Sequence, residues 1–85
     1  MVEKRAQEQI DEAIKGLKEQ RETLPEFTAF GDSNHEAIDF AIEVLTKNLS
    51  MDDIYDRGCE SYSEMLGITA RNFLDGEVEL DELLG

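Results

Sequence analysis

Carboxylates are the side chains with chemistry to offer in this 85-residue chain, which carries 21 Asp and Glu against 8 Lys and Arg. Asp39 and Glu43 lie four residues apart, and Asp52, Asp53 and Asp56 follow at three- and four-residue steps. Asp32, Glu36, Glu60 and Glu64 extend the same pattern. That spacing places side chains on one face of a helix. Rigid rows of carboxylates loosely imitate a duplex, whose charges come every ~1.7 Å along the axis. A nucleic-acid-binding protein would meet in them a decoy for its own ligand. Tyr55, set among Asp52, Asp53 and Asp56, is a candidate aromatic anchor for such a face. Asp39, Glu43, Asp52, Asp53, Tyr55 and Asp56 are therefore the candidate partner-binding residues.

Other carboxylate chemistry is less well supported. His35 and Asp39 stand at metal-ligand spacing, but the run HEAID has Asp39 where the zinc-protease pattern needs a second histidine. Asp52, Asp53, Asp56 and Glu60 form a helical row and not a ligating loop for a hard cation. Glu19-x-x-Glu22 followed by Glu36-x-x-Asp39 resembles the paired acidic motifs of all-α nucleotide pyrophosphohydrolases. That resemblance implies Mg²⁺-assisted hydrolysis. The first pair falls just before Pro25, and no set of Lys or Arg phosphate contacts accompanies it. Cys59 sits among acidic residues, which raise a thiol pKa and do not activate it. Tyr62 is read as a core-edge aromatic. No Gly-rich phosphate loop and no nucleophile elbow is present. The expectation is a non-enzymatic protein with no catalytic residue, metal or cofactor.

The net charge is −13. This excludes a general nucleic-acid binder, which needs Lys and Arg to neutralise phosphates. It also argues against a polybasic membrane-surface protein. Residues 1–23 hold 5 basic and 6 acidic side chains, or −1, and residues 24–85 hold 3 and 15, or −12. No apolar run approaches membrane-spanning length, and the charged N-terminal segment predicts no signal peptide. A single cysteine fits a reducing cytoplasm.

The elements that must position these residues are helical, because no segment alternates polar and apolar residues for long. The spacing of Val2, Ala6, Ile10, Ala13, Ile14 and Leu17 predicts a first helix over Val2 to Thr23, with Leu24 continuing its stripe and Pro25 stopping it. Asp11 and Lys15 stand in favourable i,i+4 order, and Gly16 either lets another backbone approach closely or is incidental. In the connector Leu24 to Ser33, Phe27 and Phe30 are expected to plug the gap between the first two helices, and Gly31 and Asp32 to form a turn.

Ser33 and Glu36 open a second helix over Asn34 to Asn48 with a capping-box pattern. Its stripe is Ile38, Ala41, Ile42, Leu45 and Leu49, with Phe40 and Val44 alongside, so it should be central. Ser50 with Asp53 predicts a short third helix, Met51 to Asp56, closed by Gly58. A fourth helix spans Ser61 to Asp75, with Tyr62, Met65, Leu66, Thr69, Phe73 and Leu74 as its apolar face and Gly76 after it. The acidic tail 77–85 is either a helical turn that docks or a frayed end. The fold expected is one all-α domain, a small antiparallel bundle of three to five helices. The first helix should pack across the second and fourth, with Phe27 and Phe30 sealing the base.

PEFTAFGDSNHEAIDFAIEVL, then MDDIYDRG and RNFLDGE, resemble segments of a group of short acidic bacteriophage and mobile-element proteins of unknown function. In that group an N-terminal helix leads to a Phe-Gly-Asp turn, an acidic helix, a Tyr-Asp segment and a Leu-Asp-Gly-Glu ending. The middle, CESYSEMLGIT, and the apolar end of the tail depart from it. The resemblance implies a bacterial host cytoplasm and supplies no catalytic residues. By analogy, several anti-CRISPR proteins are similar in size and charge and act by mimicking nucleic acid.

The function expected is a small acidic binding protein that inhibits a host nucleic-acid-binding machine, such as a CRISPR effector. It would engage a basic protein surface, with no direct nucleic-acid or membrane contact. One alternative is an interaction module with an apolar face, through homodimerisation of the first helix or docking of Leu80, Leu83 and Leu84. The other is the Mg²⁺-dependent hydrolase.

Overall fold

In the computed structural model, residues 6–57 and 61–85 are described. Among them are five α-helices and no strand beyond an isolated bridge between Phe27 and Ser33, so the chain is all-α. The helices are α1 (Gln7–Thr23), α2 (Asn34–Lys47), α3 (Met51–Asp56), α4 (Ser61–Leu74) and α5 (Leu80–Leu84). Val2, Gly58, Cys59 and Glu60 lie outside the described residues.

Local sequence sets the helix ends. The Ser33 hydroxyl accepts the Glu36 N–H at 3.2 Å at the start of α2. Ser50 and Asp53 exchange side-chain-to-backbone bonds of 3.2 Å each, a complete capping box on α3. Asn48 ends α2 in the left-handed conformation, φ 54°. Gly76 takes φ 81° after α4, with Gly76 N–H on the Phe73 carbonyl and Glu77 N–H on the Asn72 carbonyl, the Schellman pairing. Among the described residues the first helix begins at Gln7. Ala6 is extended, and its N–H is taken by the Gln9 side chain. Asp11 accepts a hydrogen bond from Gln7 at 2.9 Å, where Lys15 was the expected partner.

The central element is α2, which packs against both α1 and α4. Ala37, Ile38, Phe40, Ala41, Val44 and Leu45 are buried. Ile42 and Leu49, expected in the stripe, are half-buried, so the buried strip is centred nearer Phe40 and Val44. Ala13 and Leu17 of α1, Ile54 of α3, Ala70, Phe73 and Leu74 of α4 and Leu83 of α5 complete the core.

Three expectations are corrected, and the open question of the tail is resolved. The second partner of α1 is α5, where α4 was expected. The tail is a docked helix: Leu83 is buried, Leu84 packs against Gly16, and Gln20 donates to the Leu84 carbonyl. Met65 is 68% exposed, and α4 instead faces α2 with the small residues Gly67 and Ala70. Phe27 and Phe30 seal nothing: they are 55% and 93% exposed, and Leu24 is exposed as well. Hydrogen bonds close the connector, so no apolar plug is required.

Candidate functional site

The candidate carboxylates divide into two sets. On α2, cations of this chain occupy them. Arg21 of α1 grips Asp39 with two bonds, Nε to Oδ1 at 2.9 Å and Nη2 to Oδ2 at 3.3 Å. Glu43 is paired with Lys47 one turn along its own helix, at 3.2 Å, and with Arg57 beyond α3. These residues tie α1 and α3 to α2, and their charge is largely compensated.

Glu43 is half-buried, and its burial alone pushes the carboxyl upward. The hydrogen bonds from Lys47 and Arg57, with the charges of both, outweigh that and hold it below the ordinary 4.5. A carboxyl lowered on folding stabilises fully above its unfolded value, and the contribution disappears as pH falls through the folded one. Wild type should therefore be more stable than Glu43→Gln above about pH 4.5. That margin should shrink as the pH is lowered further, when thermal melts of the two are compared. A margin that stays constant on acidification would show that the ion pairs contribute nothing.

On α3 the carboxylates face water. Asp53 is half committed, since its side chain caps its own helix. Asp52, Asp56 and Tyr55 are exposed, and Asp52 and Asp56 make no ion pair among the described residues. On one turn of helix, steps of three and four residues make Asp52, Tyr55 and Asp56 a single edge. The structure thus leaves the α3 edge available and ties down the α2 row.

The hydrolase motifs do not converge. Asp39 is held by Arg21, and Glu19 and Glu22 are exposed on α1. Among the described residues no three His, Cys, Asp or Glu side chains are placed to hold a metal ion. That applies also to His35 with Asp39 and to the described part of the α3 row.

Two polar centres were not anticipated from the sequence. Arg71 is a staple from α4: one nitrogen donates to the Asn48 side chain at 2.7 Å and to the Leu49 carbonyl at 2.9 Å, and the others hold Asp75. Asn34 is 5% exposed and fully employed. Its N–H donates to the Glu26 carbonyl, its amide to the Pro25 carbonyl at 2.9 Å, and its oxygen accepts the Tyr62 hydroxyl at 3.1 Å. Tyr62 is thus a structural tyrosine that ties α4 to the start of α2. A buried Asn next to a capping Ser is a weak sequence signal, because its partners are backbone carbonyls up to nine residues away and a tyrosine hydroxyl 28 residues away.

No protein-family model, curated protein or solved structure matches the chain. No described helix is long and apolar enough to cross a membrane.

Proposed function

We propose that this chain is a non-enzymatic binding protein that docks on a basic protein surface and blocks it as a nucleic-acid mimic. The observation that supports this reading is uncompensated negative charge. The net charge is −13, while Arg21, Lys47, Arg57 and Arg71 are engaged by Asp39, Glu43 and Asp75. Exposed carboxylates such as Asp52 and Asp56, which make no ion pair among the described residues, add to the self-repulsion of the chain. A charge kept at that cost suits a partner of opposite sign, whose encounter it accelerates. Asp52, Tyr55 and Asp56 are the members of the expected set best placed to take part. Asp39 and Glu43 contribute by holding the fold. A host nucleic-acid-binding complex, such as a CRISPR effector, is the partner class suggested by the resemblance to phage proteins.

The test is capture from bacterial lysate at low and high salt, followed by binding to the purified partner. The bound complex should be lost at high salt and displaced by added DNA. Asp52→Asn with Asp56→Asn should weaken binding about 2- to 30-fold at low salt, from 0.2–1 kcal/mol per exposed pair, and have little effect at high salt. Binding indifferent to salt and to both substitutions would remove the acidic-mimic reading.

A further inference from the structure

We propose that the 27–33 loop is a preformed knob whose Phe30 ring enters an apolar pocket, rimmed by Lys and Arg, on a partner protein. The loop is built and not slack. Thr28 N–H donates to the Asp32 carbonyl at 2.7 Å, and Gly31 N–H to the Thr28 carbonyl at 3.0 Å. The Thr28 hydroxyl accepts from the N–H groups of Phe30 and Asp32 at 3.2 and 3.1 Å. Gly31 turns the chain at φ 90°, a conformation that favours glycine. The bridge from Phe27 to Ser33 closes the base, and buried Asn34 anchors it to Pro25, Glu26 and Tyr62.

That network spends its bonds on presenting a ring to water. Phe30 is 93% exposed and Phe27 55%. The folded core makes no use of Phe30, and a fixed loop forfeits little freedom when a partner covers it. Aromatic residues, Phe among them, are enriched at interfaces relative to the rest of the surface.

Charge selects the occupant. From Thr23 to Thr46 the chain has no Lys or Arg, while Glu26, Asp32 and Glu36 flank the knob and make no ion pair among the described residues. A convex apolar tip with an acidic collar fits a concave apolar site with a basic rim. A second copy at −13 would repel it, as would an anionic lipid surface. The basic rim shares its premise with the acidic-docking reading; the apolar anchor does not.

The experiment places a benzophenone amino acid at position 30 of the full chain, irradiates it in bacterial lysate, and maps the crosslinked peptide. The purified crosslinked protein is then titrated with wild type, Phe30→Ala, and the Asp52→Asn, Asp56→Asn pair at low and high salt. Expected is one dominant protein labelled at an apolar residue flanked by Lys or Arg. Phe30→Ala should then cost at least about 30-fold in affinity, as an interface hot spot does, with the melting temperature unchanged. A crosslink to this chain itself, to lipid, or spread over many proteins would overturn the proposal. So would a pocket without basic residues, or Phe30→Ala within about threefold of wild type. Loss with Phe30→Ala but no salt dependence would retain the apolar anchor and overturn both the basic rim and the acidic-mimic reading. The reverse pattern would retain that reading and remove the knob.

Discussion

Ile38→Asp should abolish the cooperative thermal transition of this chain. Ile38 is 2% exposed in the second turn of α2, the helix that α1 and α4 both contact. A carboxylate there finds no cation. The nearby Arg21 already holds Asp39, and Lys47 and Arg57 hold Glu43. An unpaired buried charge costs several kcal/mol, and the isoleucine burial is lost as well. A domain of this size is stabilised by only about 4–13 kcal/mol in all, on 0.05–0.15 kcal/mol per residue. The substitution also adds one more negative charge to a chain already at −13. Circular dichroism against temperature reads the result, with Ile38→Val as control at about 0.5–1.5 kcal/mol. A variant that melts at the wild-type temperature would show that Ile38 is not core.

What the sequence made legible here is what physics keeps local. The Ser50–Asp53 box and the Gly76 turn each close within a few residues and stand as read, while at Ser33 the hydroxyl cap is present without the return bond from the Glu36 side chain that a full box requires. The central position of α2 followed from apolar residues around more than one stripe. What was illegible depends on distant partners. Phe27 and Phe30 are as apolar as any core pair, and only the hydrogen bonds of Thr28 and Asn34 show that the loop closes without them. Met65 outranked Gly67 and Ala70 as a core candidate because hydrophobicity counts size, whereas a close helix contact requires its absence. Leu80 to Leu84 left docking and fraying equally open until Gly16 supplied the seat for Leu84.

The same distinction divides the candidate site. Three- and four-residue spacing correctly placed Asp39 and Glu43 on a helix surface. It carried no information on Arg21, 18 residues from Asp39, or on Arg57 beyond the next helix. A row of carboxylates in sequence is a row of free charge only where no cation folds back on it. On α3 none does among the described residues, so the proposed docking face rests on Asp52 and Asp56 and not on Asp39 and Glu43. Binding should therefore respond to substitutions on α3, and stability to those on α2.

Gly67→Leu should lower the melting temperature by about 4–24 °C, through a contact that local propensity would rank the opposite way. Leucine is a better helix former than glycine by up to about 1 kcal/mol, so on propensity alone α4 should gain. A Cβ at Gly67, however, would lie 2.5 Å from Phe40 Cε2 and 2.8 Å from Cδ2. Phe40 is 7% exposed, and the Arg57 guanidinium stands 5.5 Å from its ring centre while pairing with Glu43. The ring therefore cannot swing away without disturbing the joint between α2 and α3. Overpacking of this kind costs about 1–3 kcal/mol and sometimes more. In a domain this small each 1 kcal/mol is worth roughly 4–8 °C. Phe40→Ala alone should cost about 3–5 kcal/mol by leaving a cavity. In the double variant the leucine introduced at position 67 enters the space the ring vacates, so the two losses should fall short of their sum by about 0.5–3 kcal/mol. Strict additivity in denaturant melts would mean that Phe40 and Gly67 do not share one space. With that coupling, the glycine is the recess that lets α4 close on α2, and α3 is held in place around the same ring.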